Sequence, residues 1–101
     1  MALSLDYNYK GSTASYWKII KSTEDWKEVK TTLRVALYMS ADTRNENVAN
    51  ILETKAFSFD VTDVTREQLY KLLKADSATL SEFNIEKGED EVYFFETAED
   101  V

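Results

Sequence analysis

The feature that most constrains the fold is a nine-residue segment, Thr31–Met39, in which apolar and polar side chains alternate. The apolar set is Leu33, Val35, Leu37 and Met39, and the opposite set is Thr32, Arg34, Ala36 and Tyr38. Successive side chains of a strand point to opposite faces of its sheet. A clean alternation of this kind is typical of an antiparallel sheet that buries one of its faces.

Other segments have strand patterns, and they flank a single strong helix signal. The predicted strands are Leu3–Tyr9, Ser15–Lys21, Lys55–Val61 and Val92–Phe95. Before the last of these, Thr65 and Gln68 have the spacing of a capping box, in which each side chain bonds the backbone N–H of the other residue. Apolar residues then follow at helical spacing and predict the buried stripe of one helix. These residues are Leu69, Leu72 and Leu73.

The order of these elements defines the predicted fold class. Four strands precede the helix and one follows it, without the strand–helix alternation of a parallel α/β fold. We therefore predict an α+β fold, in which an antiparallel sheet of four to five strands carries one helix packed on one face. A chain of 101 residues is typical of one domain, so we assign residues 1–101 to a single domain. The expected core combines Leu33, Val35, Leu37, Phe57, Phe59, Leu69, Leu72 and Leu73.

The composition excludes several kinds of chemistry. The chain has no cysteine and no histidine, so it lacks thiol nucleophiles, disulfides, the usual zinc ligands and the usual general base. The acidic stretches Asp42–Glu53 and Gly88–Glu91 do not have the ligand spacing of a calcium loop. Because no catalytic constellation is present, we expect a protein that is not an enzyme and needs neither a cofactor nor a metal.

The charge balance limits the expected partners. The chain carries 19 acidic and 12 basic side chains and has a pI near 4.5, which argues against a phosphate-neutralising surface for nucleic acid. No apolar stretch approaches the length of a membrane span, and the first residues lack the pattern of a signal peptide. We therefore expect synthesis in the cytoplasm and binding to neither nucleic acid nor membrane.

Most of the net charge lies at the C-terminal end of the chain. Residues 86–101 hold seven acidic side chains and one basic side chain, which is −6 of the net charge of −7. Glu96–Val101 is expected to be a charged tail that governs association more than folding, because exposed charges steer encounters but stabilise little. A solvated acidic turn is the alternative interpretation of residues 86–91. The candidate partner-binding acids are Glu89, Asp90, Glu91, Glu99 and Asp100.

Trp26 is a further candidate for partner binding. It lies between Asp25 and Lys27 in a polar stretch of the chain. Tryptophan and tyrosine are the residues that commonly anchor protein interfaces. The alternative is that Trp26 covers an edge of the sheet, and the sequence leaves both interpretations open.

Five segments, read together, carry a resemblance to a known group of proteins. They are Tyr16–Ile19, Leu33–Tyr38 with Arg44 downstream, Lys55–Phe59, Tyr70–Lys74 and Ala98–Val101. They resemble a group of small proteins that are encoded among the structural genes of tailed bacteriophages and prophages. The resemblance covers most of the chain and transfers no catalytic residues.

The resemblance implies a setting in virion or tail assembly. We accordingly expect a non-enzymatic bacteriophage virion structural or tail/assembly component that acts by protein–protein contacts. Its partners would be other phage structural proteins, and it would be a homo-oligomer in the virion, made in the host cytoplasm. The alternative is a small acidic phage-encoded inhibitor or DNA mimic that binds a basic host protein surface.

Overall fold

The computed structural model describes residues 1–46, 50–86 and 93–101. The strands are β1 (Leu3–Tyr9), β2 (Ser12–Asp25), β3 (Lys30–Tyr38), β4 (Glu53–Phe59) and β5 (Glu99–Asp100). The helices are α1 (Ala41–Glu46), α2 (Arg66–Leu73) and α3 (Ser77–Glu82). The five strands form one antiparallel sheet in the order β4-β3-β2-β1-β5. The predicted fold class, an α+β protein built on an antiparallel sheet, is therefore confirmed.

The core lies on the face of the sheet that α2 covers. The apolar side of β3 and the apolar stripe of α2 are buried in one cluster, and two phenylalanines of β4 pack against it while partly exposed. These residues are Leu33, Val35, Leu37, Leu69, Leu72 and Leu73, with Phe57 and Phe59 from β4. The predicted core is confirmed, because both the strand period and the helix period point their apolar positions at the same interface.

A fully buried tryptophan, Trp17 in β2, links β1 to the C-terminal part of the chain. Its indole Nε1 donates a hydrogen bond to the carbonyl oxygen of Leu5 at 2.9 Å. The register between β1 and β2 shifts between Ser4 and Tyr7, and such an irregularity leaves a carbonyl outside the strand ladder. Three rings meet the indole edge-on, with centroids 5.5, 5.4 and 5.2 Å away, and they belong to Tyr7, Phe94 and Phe95.

The opposite face of the sheet is also covered at one end. Ala36 and Tyr38, which the alternation of β3 places on that face, are buried, and α1 packs against β3. Met39, which was expected to point into the core, lies beyond the end of β3 and is exposed. The predicted inward position of Met39 is therefore wrong, because β3 ends before this residue and α1 follows directly.

The helix α2 begins as predicted. Thr65 Oγ1 accepts a hydrogen bond from the backbone N–H of Gln68 at 3.2 Å, and the Thr65 N–H donates to Gln68 Oε1 at 2.9 Å. The chain then turns into α3, where Asp76 Oδ2 accepts from the backbone N–H and the hydroxyl of Thr79 at 3.1 and 2.8 Å. These two bonds stabilise the charged carboxylate and lower the pKa of Asp76.

The C-terminal end differs from the prediction in two respects. Of the predicted strand Val92–Phe95, Val92 lies outside the described residues, and Phe94 begins a turn. Glu96–Val101, expected to be a free charged tail, contains β5, which pairs with β1. Ala2 and Val101 exchange two backbone hydrogen bonds of 3.1 Å. The tail prediction is wrong because the outer edge of β1 has backbone groups that need partners, and this end of the chain supplies them.

Candidate functional site

The hairpin of β2 and β3 extends beyond the neighbouring strands. Pairing continues to Asp25 and Lys30, so β2 extends well beyond Lys21, where the sequence predicted its end. On one side β1 pairs with β2 no further than Trp17, and on the other side β4 reaches only Thr31 of β3. Every residue from 21 to 29 is exposed. Residues Asp25–Lys30, called the tip below, therefore stand clear of the sheet.

Local hydrogen bonds hold the backbone of the tip. Asp25 Oδ1 accepts from the backbone N–H groups of Lys27 and Glu28 at 3.0 and 3.2 Å. An aspartate that binds the amides following it is a usual way to fix a turn. Val29 adopts a φ of 54°, a left-handed conformation that is unusual for a β-branched residue. The tip therefore places a strained valine where glycine is the usual residue.

The tip presents two apolar side chains to solvent. Trp26 is 65% exposed and Val29 is 50% exposed. The alternative in which Trp26 covers a sheet edge is therefore wrong, whereas its role in partner binding stays a prediction. A tryptophan and a valine on a fixed turn are suited to insertion into an apolar cleft of another molecule.

A second candidate surface lies beside β4, at the outer edge of the sheet. A groove of about 620 Å³ lies between β4 and the α2–α3 segment. Five of its apolar lining residues are Phe57, Phe59, Phe83, Ile85 and Phe94. Clefts of this size and lining are typical of binding sites in proteins. The charged side chains that line it in the described part of the chain are two carboxylates, Asp60 and Glu86, and both residues are exposed.

The predicted acidic candidates do not come together in one described site. Glu99 and Asp100 lie in β5 and are exposed. Asp100 Oδ2 lies 3.2 Å from Lys74 Nζ, so part of its charge is neutralised within the chain. Glu89, Asp90 and Glu91 lie outside the described residues. The acidic segment therefore offers two described carboxylates at a sheet edge, not an extended charged face.

A polar cluster connects β1 to β4 across the core face. The Glu53 carboxylate beside the Tyr7 hydroxyl, together with desolvation of that hydroxyl, raises the pKa of Tyr7. Lys55 Nζ lies 5.3 Å from the ring centroid of Tyr7 and 4.9 Å from that of Phe94. Contacts of this kind stabilise a lysine over aromatic faces. These contacts join side chains of β1 and β4 to Phe94.

Other kinds of site find no support within the described residues. No group of three or more carboxylates in residues 1–46, 50–86 and 93–101 could hold a metal ion. None of the described helices has both the length and the apolar character needed to cross a membrane.

Comparisons of this chain with protein-family models, with curated proteins and with solved structures found no match.

Sequence reasoning missed Val29 and the groove. Val29 carries a weak signal, because it is an apolar residue between two charged ones, Glu28 and Lys30, in a stretch with turn character. The groove had no signal in the sequence, since its walls come from β4 and from residues after α3 that meet only in the folded chain. The conformation that exposes both side chains of the tip is a property of the three-dimensional structure alone.

Proposed function

We propose that this protein is a non-enzymatic structural or assembly component of a bacteriophage virion, and that it acts through protein–protein contacts made by the tip. The observation that carries the proposal is the exposure of Trp26, together with Val29, on a turn held by Asp25. Tryptophan is among the residues that contribute most to binding when it enters a partner's cleft. The phage setting rests on the resemblance of the strand and helix segments described above.

The strain at Val29 supports a binding role for the tip. A residue held in a sparsely populated backbone conformation costs about 1–3 kcal/mol, and such residues cluster at functional sites. Asparagine or glycine would relieve that cost, but neither supplies a branched apolar side chain. Valine at this position therefore lowers stability but supplies an apolar contact surface. This is expected if a partner covers the tip. Among the described residues, no comparable feature favours the second function considered, the acidic inhibitor or DNA mimic.

Particle composition tests this proposal. Virions would be purified from a producing culture, and the protein would be quantified in them by mass spectrometry, first for the natural chain and then for Trp26→Ser. We expect the natural chain in the particles at a fixed copy number and a strong reduction for the variant. Met39→Ser is the matched control, because Met39 is also exposed but lies at the other end of β3. Absence of the natural chain from the particles would refute a virion component.

A further inference from the structure

We propose that the face of the sheet opposite the core binds an extended acidic segment of a partner protein. Three basic side chains define this surface, Lys18 and Lys21 of β2 and Arg34 of β3, and they are called the basic face below. The basic face shares no residue with the tip, and its role does not depend on the proposed function.

The strand register places the three bases side by side. Lys18 pairs with Ala36 of β3, and two residues away along β3 Arg34 pairs with Lys21. The register shifts between these two pairs, so β2 holds one extra residue there and both lysines lie on the same face. Because Ala36 and Arg34 alternate on β3 with the core residue Val35, the basic face is on the side opposite the core.

Lys21 and Arg34 lie directly opposite each other across the two strands. Both residues are exposed, and neither forms an ion pair with a carboxylate of the described chain. Like charges at opposed positions of two strands destabilise their pairing. An anion bound over both side chains would offset this repulsion, and it has to come from another molecule if the described residues supply none.

Bases on α2 and at its end, in contrast, are engaged within the chain. Arg66 donates to a carbonyl oxygen of β2, and the Nζ atoms of Lys71 and Lys74 lie 3.6 and 3.2 Å from carboxylate oxygens. On the basic face, Lys18 Nζ donates to the carbonyl oxygen of Met1 at 2.9 Å. That acceptor is uncharged, so the charge of Lys18 is not neutralised by this bond.

The acids on the same face of β2 and β3, and beyond the end of β3, lie away from these bases. Asp25 is at the far end of β2, and its carboxylate accepts from two amides of the tip. Asp42 and Glu46 belong to α1, which follows β3. Arg34 precedes the end of β3 by four residues, about 13 Å at 3.3 Å per residue. This distance exceeds the Debye length of about 8 Å at physiological salt.

The side chains around Arg34 suit the binding of carboxylates. Its partner on β4 is Ala56, and in a neighbouring row the hydroxyl oxygens of Thr32 and Ser58 lie 3.3 Å apart. All of these residues are exposed, and they are small enough for another chain to approach. A guanidinium binds a carboxylate through two parallel hydrogen bonds, and hydroxyl groups can donate to further oxygens.

The spacing of the bases favours an extended segment. The row of Lys18 and the row of Lys21 are about 6.8 Å apart, which is the distance between alternate side chains on one face of an extended chain. Carboxylates at alternate positions of a partner segment would therefore lie over successive rows. Nucleic acid is the less favoured occupant, because a chain of net charge −7 repels a long line of phosphates more than a short acidic segment.

An NMR titration of the isotope-labelled full chain at low salt provides the test. The probe is a capped peptide in which glutamate and serine alternate, and its control has glutamine in place of glutamate. We expect the glutamate peptide alone to shift the amide signals of β2 and β3 around the basic face, while those of the tip and α2 stay unchanged. Arg34→Gln and Lys21→Gln should each weaken binding about 2- to 5-fold, as loss of one exposed charge pair does.

A matched variant and a stability measurement make the test specific. Lys71→Gln removes the same charge from α2, far from the basic face in the fold, and should leave peptide binding unchanged. Circular dichroism melts of Arg34→Gln should show a melting temperature no lower than that of the natural chain, because the substitution relieves the repulsion from Lys21. Weaker binding by this variant would then reflect the lost charge and not a lost fold.

Three results would overturn the inference. They are a natural chain that does not bind the glutamate peptide, an equal loss of binding for Lys71→Gln and Arg34→Gln, and tighter binding of an oligothymidylate that carries the same number of charges. The last result would assign the basic face to nucleic acid. None of them bears on the proposed function, which is tested by the presence of the natural chain and of Trp26→Ser in particles.

Discussion

The hydroxyl oxygen of Tyr70 in α2 accepts a hydrogen bond from the backbone N–H of Ile19 in β2 at 2.9 Å. Arg66 of the same helix donates from Nη1 to the Ile19 carbonyl oxygen, also at 2.9 Å. The pairing of β1 with β2 reaches only Trp17, so the main chain at Ile19 has no strand on that side. Two helix side chains therefore take the place of a neighbouring strand at this edge.

Replacing Tyr70 with phenylalanine tests this arrangement. The substitution keeps the ring but leaves the buried N–H of Ile19 without its acceptor, so we expect a loss of about 1–3 kcal/mol in the free energy of unfolding. Urea denaturation would measure it. Tyr9→Phe is the control, since Tyr9 is only partly buried and its ring contact with Lys10 survives the change. Equal losses for the two variants would contradict the role assigned to Tyr70.

The same residue predicts a dependence of stability on alkaline pH. Burial raises the pKa of Tyr70 above 10, although its bond with Ile19 and the nearby Arg66 oppose the shift. A group whose pKa is raised by folding stabilises the folded state below its unfolded pKa, about 10, and this contribution disappears as pH rises through the folded value. Melts at pH 8 to 12 should therefore show a steeper loss for the natural chain than for Tyr70→Phe. Parallel curves would argue against this ionisation effect.

Deleting Ala98–Val101 should destabilise the fold. The deletion removes β5, a buried alanine and the two backbone hydrogen bonds between Ala2 and Val101. Each kcal/mol lost lowers the melting temperature of a domain of this size by about 4–8 °C, so calorimetry should show a clear decrease. The charge variant Asp100→Asn keeps the strand and loses only an exposed pair with Lys74, so its effect should be small. An unchanged melting temperature after the deletion would restore the free-tail interpretation.

Replacing Val29 with glycine should stabilise the folded chain. The left-handed conformation costs a residue with a Cβ atom about 1–2 kcal/mol, whereas glycine adds about 0.5–1 kcal/mol of unfolded-state entropy. We expect a net gain of up to about 1 kcal/mol by urea denaturation. Val29→Ala keeps the Cβ atom and should gain little. A destabilised glycine variant would mean that the valine side chain supports the fold of the tip.

Replacing Thr65 with alanine should destabilise the protein by about 0.5–2 kcal/mol, the usual cost of removing an N-cap side chain. Gln68→Ala should cost less, because the Thr65 hydroxyl still accepts from the helix backbone. Chemical denaturation of the two variants and of Thr13→Ala, an exposed threonine in β2, would measure the differences. A neutral Thr65→Ala beside a costly Asp63→Ala would show that the helix begins earlier.

Much of the core was predictable because its signals are local. The alternation of Leu33, Val35 and Leu37 and the spacing of Leu69 and Leu72 follow from the periods of strand and helix. Both sets are buried in one cluster. The capping box depends on four consecutive residues and was predicted for the same reason. None of these features requires knowledge of how distant segments meet.

The tertiary structure alone decided how the edges of the sheet are completed. Glu99 and Asp100 have the composition of a solvated tail, yet they form a strand because β1 has an unpaired edge. The exposure of Trp26 follows from β1 and β4 ending short of the tip. The groove follows from β4 and residues after α3, which folding brings together. The sequence by itself determined which residues of β3 and α2 form the core, Leu33, Val35, Leu37, Leu69, Leu72 and Leu73, because periodicity is a local property. Which surfaces remain open depends on where distant segments stop beside one another, and no local pattern encodes that.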